Sequence, residues 1–320
     1  MMGLKMTDAF LNATPADLSA PAAEKYEQAG IGVFPVSDVI GAEIRGVDLS
    51  ENLDRATLDA VHRAWLEHSV ILLRDQRLSD GDLVRFSRYF GELDHGPTMS
   101  WQADEGVAYP EIFIISNVSE HGKPIGFLDD RPLPWHTDMS HTEQPSKAST
   151  LYALEVPDDG SGKTGFTNMY RVLDALPTAL RAHIETLQLK HDPAHTLLGE
   201  DRDGFDIDAY RDLERSPAPV HPLVRTHPET GREALYLGRK FNGDHRAAHV
   251  VGLSRGDSDA LLDELWELVA QEHFAWYHDW RTGDYLMWDN RCVMHGREPF
   301  DREARRVMHR TQIRDTVRPY

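Results

Sequence analysis

The chain has 320 residues, with 34 lysines and arginines against 53 aspartates and glutamates, and a net charge of −19. So acidic a surface repels nucleic acid and anionic membranes, which excludes both as expected partners, and an anionic ligand would need a local basic pocket. Cys292 is the only cysteine, so no intrachain disulfide can form and the expected compartment is the reducing cytoplasm.

Met1, Met2 and Met6 open an Ala/Pro-rich stretch without a targeting pattern. No window of the chain approaches the roughly 18 apolar residues of a membrane span. Residues 1–30 are expected to be a flexible N-terminal segment and 31–320 one domain, because no repeat or low-complexity linker divides them. Residues 54–69 predict a helix with Leu58, Val61, Trp65 and Leu66 on one face and Asp54 as N-cap. The apolar run at 70–76 follows as a strand. Residues 79–93 repeat the helical pattern through Leu83, Phe86 and Phe90, and Gly91 is placed to end it.

Residues 111–119 and 148–156 read as strands. Between them lies PLPWHTDMSHTEQP, where extended chain would put His136 and Asp138 on one face and Trp135 and Thr137 on the other. From about 172 to 215 the pattern turns helical, then acidic and irregular, and the part from 197 is expected to lie as a lid over a cavity mouth. Residues 221–238 predict a hairpin turning at Glu229-Thr230-Gly231. A helix over 257–274 carries Leu261, Leu265, Leu268 and Val269 as its stripe, and 282–296 and 304–315 are strand-like. Early helices with strands throughout indicate an α+β domain built round a β-sandwich or jelly roll.

His295 falls 157 positions after Asp138, near a strand end. Two imidazoles and one carboxylate on three corners of a metal leave the opposite face open, which suits Fe(II) enzymes that bind a cosubstrate and O2 together. A single cysteine excludes a Cys-rich zinc site. His136 and Asp138 by themselves are equally compatible with a structural hydrogen-bonded pair. In the last strand Arg306, Met308, Arg310 and Gln312 alternate with Val307, His309, Thr311 and Ile313. Two arginines facing one way either line a cavity for anions, where the planar guanidinium forks onto a carboxylate or sulfonate, or stand in water on an edge strand.

Taken together, HxD at 136–138, WDNRCVMHGR around His295, ARRVMHRTQI and the segment DGSGKTGFTNM resemble the Fe(II)/2-oxoglutarate-dependent dioxygenases of the taurine dioxygenase and 2,4-dichlorophenoxyacetate dioxygenase family, from about Val33 to Ile313. The resemblance implies a double-stranded β-helix (jelly roll, cupin-like) core with flanking helices and a long insertion. It implies His136, Asp138 and His295 as iron ligands, Thr164 and Arg306 on the distal carboxylate of 2-oxoglutarate, and Arg310 on the substrate's anionic group. Lys163 departs from the family, which has an acid there. His95 falls in the region of a substrate-contacting histidine of taurine-type members, and Asn117 and Phe241 are further pocket candidates. His141 is off the strand register and reads as a neighbour of the site or a surface residue. Trp135, Trp288 and Cys292 read as packing.

The implied reaction consumes O2 and 2-oxoglutarate, gives succinate and CO2, and hydroxylates a small anionic organic substrate such as a phenoxyalkanoate, sulfonate or alkyl sulfate. Hydroxylation beside a heteroatom leads on to C–O or C–S cleavage. Retention of Asp138 argues against halogenation. Two other classes compete: a zinc hydrolase or lyase using the same ligands, and a non-catalytic binding protein of the same fold. The arginine pair argues against the first and the complete ligand set against the second. A homo-oligomer is compatible with the sequence.

Overall fold

The run Val70-Ile71-Leu72-Leu73 offers no polar side chain to water on either face, and all four residues are buried in the strand they form. That strand, β3 (Val70–Leu73), lies inside a seven-stranded sheet ordered β1 (Gly32–Pro35), β2 (Ala42–Arg45), β3, β16 (Tyr285–Asp289), β8 (Ser146–Glu155), β18 (Val307–Arg314) and β4 (Phe113–Ser116). Its pairings are antiparallel except β2 with β3. The computed structural model describes residues 26–96, 108–128, 130–239 and 247–320; Phe241 and most of the N-terminal segment lie outside them.

Strand alternation divides the interior into two cores. Ile71, Leu73, Tyr285, Met287, Tyr152 and Ile313 join one cluster with helices α1 (Arg55–His68) and α2 (Asp80–Ser87). Val70, Leu72, Leu286, Trp288, Ala153 and Met308 join the other, which includes Phe166 and Val293 of a four-stranded sheet. That second sheet runs β15 (Ala275–His278), β9 (Thr164–Asn168), β17 (Val293–Arg297) and β7 (Leu133–His136). Phe166 meets Trp288 at 5.5 Å between ring centroids, and His295 meets the same indole at 4.7 Å.

Asp54 caps α1 through the Thr57 amide at 2.8 Å, and Leu58, Val61, Trp65 and Leu66 are buried, each contributing about 1.5–3 kcal/mol. Helix α2 begins in a capping box of Ser79 and Asp82 and stops at Ser87, four residues before the expected Gly91. Two short helices, α3 (Met169–Asp174) and α4 (Thr178–Ile184), follow β9. Helix α5 (Arg255–Val269) buries Leu261, Leu262, Leu265, Trp266 and Val269; Leu268 is only partly buried, so the stripe runs beside the expected one. Smaller pieces are β5 (Ser119–Glu120) with β6 (Lys123–Pro124), β10 (Gln188–His191) between β11 (Val220–Pro222) and β14 (Ala248–Val250), and the expected hairpin of β12 (Val224–Thr226) and β13 (Glu233–Leu235). Among the described residues, no helix is long and apolar enough to cross a membrane.

The strand-like stretch 282–296 is two strands in different sheets, broken at Asn290–Cys292. That break carries an ion network. Arg291 forks onto Asp289 at 2.8 and 2.7 Å, His227 lies 2.9 Å from the same carboxylate, and Glu229 of the hairpin turn receives Arg291 at 2.5 Å and Lys147 and His62 at 2.9 Å. Burial alone would raise the Glu229 carboxyl, but Arg291, His62 and Lys147 hold it well below the usual carboxylate range. A carboxylate depressed on folding adds stability above its unfolded pKa of about 4.3, and that stability is lost as pH falls below it. Glu229→Gln is therefore expected to lower unfolding free energy by on the order of 3 kcal/mol at pH 7. In denaturant melts the gap to the parent should narrow at pH 3.5; an equal gap at both values would contradict the assignment.

Candidate active site

Two neighbouring strands bring the histidines together. His295 is the middle residue of β17, not a strand-end residue, and pairs directly with His136, the last residue of β7. Paired residues point their side chains to one face, and the two rings sit 4.0 Å apart. Asp138 arrives differently from the expectation. The strand stops at His136, Thr137 bonds its amide to the Gly238 carbonyl at 2.6 Å, and Asp138 enters through the following turn, where Met139 has φ +54°. Its Oδ1 is 3.7 Å from His136 Nε2 and its Oδ2 3.8 Å from His295 Nε2.

All three side chains are buried, and one ligand atom from each lies within 4.8 Å of the others. His136 Nδ1 faces the Pro134 carbonyl at 2.8 Å, so it carries the proton and leaves the Nε2 lone pair facing Asp138. Burial first, and for His295 the neighbouring His136 next, keeps both rings neutral by pulling their pKa values down. Burial alone would raise Asp138, but Arg310, His295 and His136 hold it below the ordinary carboxylate range. Two neutral imidazoles and an ionised carboxylate form a donor set that fits a divalent transition metal with open positions.

Outer contacts aim the carboxylate. Trp288 Nε1 donates to Asn290 Oδ1 at 3.1 Å, Asn290 Nδ2 to Ser149 Oγ at 3.0 Å, and Ser149 Oγ to Asp138 Oδ2 at 2.6 Å. Trp288 is thus more than packing. Arg310 Nη2 contacts the same Oδ2. Cys292 is a buried thiol raised to about 12, chiefly by burial, and stays inert.

A second pocket stands one row along the same face. Thr164 opens β9 and pairs with Arg297 of β17, two residues beyond His295, or roughly 6.7 Å of strand. Arg306 is 1% exposed and sits immediately before β18. Among the described residues its Nε and Nη1 have no hydrogen-bond partner and no carboxylate pairs with it. Burial and then the charge of Arg297 pull its pKa down to about 9, the signature of a cation lacking a counter-anion. Gly162 has φ +72°, and a Cβ there would lie 3.3 Å from Arg306 Nη1. Lys163 turns outward to Asp279 at 2.7 Å, leaving the pocket side to Thr164.

Even-numbered Arg310 and Met308 face the site, whereas His309 and Thr311 face α2 through Asp80 at 2.7 Å and Ser87 at 2.8 Å, as the alternation predicts. Arg239, bridged to His136, and Arg202, from the irregular insertion, add positive charge near the ligands. Arg202 Nη1 donates to His141 Nε2 at 2.7 Å, and burial with the two arginines lowers that histidine to about 2, so His141 is a buried neighbour outside the ligand group. Asn117 Nδ2 bonds the Ala304 carbonyl at 2.8 Å and its Oδ1 accepts the Arg306 amide at 3.0 Å, so it anchors the chain entering β18. His95 is exposed, next to undescribed residues 97–107.

Known proteins resemble this chain over nearly its full length. It is 35% identical to the alpha-ketoglutarate-dependent 2,4-dichlorophenoxyacetate dioxygenase of Cupriavidus pinatubonensis over 88% of this chain and 98% of that protein. It is 32% identical to the (S)-phenoxypropionate/alpha-ketoglutarate-dioxygenase of Sphingobium herbicidovorans, over 88% and 94%. The crystal structure of AAD-2 in complex with Mn(II) and N-oxalylglycine superposes with a TM-score of 0.73 at 26% identity, covering 91% of this chain and 98% of that one. The family model of taurine catabolism dioxygenase TauD, TfdA family, matches residues 32–312, and the chain belongs to that family.

Proposed function

We propose that this 2-oxoglutarate-dependent dioxygenase holds Fe(II) on His136, Asp138 and His295 and oxidises a small organic anion, with phenoxyalkanoates as the first candidates. The observation that carries the reading is the pairing of two groups of side chains: three that offer ligand atoms within 4.8 Å, and one row along the sheet a buried Arg306 that has no counter-anion among the described residues. When bound, the iron supplies the oxidising chemistry that couples decarboxylation of 2-oxoglutarate to oxidation of a substrate C–H bond. Arg306 and the Thr164 hydroxyl bind the distal carboxylate and so fix the direction of the cosubstrate. Arg310, whose Nε is buried without a hydrogen-bond partner, orients the substrate's anionic group beside the metal ligands.

The Cupriavidus and Sphingobium dioxygenases named above act on phenoxyalkanoates, and the arginines around the ligands suit a carboxylate, sulfonate or sulfate equally. A zinc hydrolase would have no use for a buried arginine and threonine beside the metal ligands. We also infer that residues 31–320 form one catalytic domain on a double-stranded β-helix; the shared core of the seven- and four-stranded sheets supports this.

Succinate formation with Fe(II), 2-oxoglutarate and O2 should rise when a phenoxyalkanoate is added, and a panel of sulfonates and alkyl sulfates ranks the alternatives. Failure of every anion to stimulate turnover would sink the substrate class. Arg306→Ala should raise the 2-oxoglutarate requirement by about tenfold or more with little change in metal affinity; an unchanged requirement counts against the pocket. Ser149→Ala should weaken metal binding about tenfold, since outer contacts of ligands typically carry 10–100-fold. Trp288, 4.7 Å from His295, gives a fluorescence signal to follow it, and wild-type affinity in that variant would refute the relay.

A further inference from the structure

We propose that Trp280 is a positioning residue for the distal carboxylate of 2-oxoglutarate, an inference that rests on the reading of Thr164 and Arg306 above. A threonine hydroxyl has one proton and two acceptor lone pairs, and its rotor turns to suit its neighbours. Trp280 Nε1 donates into Thr164 Oγ1 at 2.9 Å. An indole N–H only donates, so Thr164 cannot return its proton to Trp280. The proton is left for an acceptor in the pocket. Both side chains are buried, at 4% and 8% exposure, so water does not compete freely for the hydroxyl.

The same indole serves the cation. The Arg306 guanidinium carbon is 5.9 Å from the Trp280 ring centroid and 5.9 Å from that of Phe300. Two aromatic faces steady a guanidinium without taking its N–H groups, which a carboxylate partner would do. Trp280 is itself held by the edge-on ring of His278 at 4.6 Å, and His278 is fixed by Asp284 at 2.9 Å. One side chain therefore sets the direction of the neutral donor and backs the charged one. A planar carboxylate entering between them meets an oriented O–H and an open guanidinium edge.

The test is a double-mutant cycle read by anaerobic calorimetry of 2-oxoglutarate binding to the Fe(II)-loaded protein. Trp280→Phe keeps a ring against Arg306 and removes the N–H; Thr164→Val removes the hydroxyl. Trp280→Phe should weaken 2-oxoglutarate binding about three- to tenfold, the range of one oriented hydrogen bond, with Fe(II) affinity unchanged. In a Thr164→Val background the same substitution should weaken binding by less than about twofold, because the rotor it orients is gone. An equal loss in both backgrounds, or no loss in either, overturns the proposal. If the parent protein binds no 2-oxoglutarate, the Thr164–Arg306 reading falls and this inference with it; if the parent binds and only the cycle fails, the pocket stands without Trp280. Should Trp280→Phe not fold, the indole N–H resonance of Trp280 in the Zn(II)-loaded parent decides: 2-oxoglutarate should shift it, as the hydroxyl becomes a stronger acceptor once it donates a hydrogen bond to the carboxylate. A resonance that does not move overturns the proposal.

Discussion

Placing a carboxylate in a protein interior costs several kcal/mol unless charge and hydrogen bonds replace the lost water. Asp138 is 6% exposed, so the site depends on that replacement. Arg310 supplies a cation and Ser149 a hydroxyl proton, and the two histidines stand beside it. If the carboxyl were neutral, the donor set would lose its charge and with it the preference for a divalent metal. The sheet pairing of His136 with His295 then fixes the other two corners through backbone geometry, with no dependence on loop order.

Charge is distributed against the average of the molecule. A chain of net charge −19 gathers Arg297, Arg306 and Arg310 inside, with Arg239 and Arg202 close to the ligands. A negative exterior and a positive interior discriminate by size and by charge at once. A small anion that enters is met by guanidinium groups. Burial and the neighbouring charge of Arg297 both disfavour the Arg306 cation, which lowers its pKa.

The cluster of His136, Asp138 and His295 was legible in the sequence because the HxD spacing, His295 and the downstream arginines together match the family's pattern, which the spacing alone does not establish. Strand period two read the last strand correctly: Arg310 and Met308 face one way and His309 and Thr311 the other. It failed at Asp138, where a turn after His136 does what a strand was expected to do; a Gly238 carbonyl from far along the chain stops the pairing there. Ser149 and Trp280 were not legible. Their partners Asp138 and Thr164 become neighbours only when the sheets close, and neither residue type carries a chemical signal by itself. Asn117, a further pocket candidate, has its amide engaged by the backbone around Arg306, a role that its residue type does not announce.

The break at Asn290–Cys292 has a meaning beyond connecting two sheets. Asn290 holds Ser149 and, through it, Asp138, while its neighbours Asp289 and Arg291 belong to the ion network under the hairpin. Consecutive residues thus answer to different masters, one to the metal ligands and two to the scaffold. Alignment of the Asp138 carboxylate is inherited from a joint that the ion network holds. A substitution in the scaffold's charged residues would consequently be felt at the Asp138 carboxylate as well as in folding.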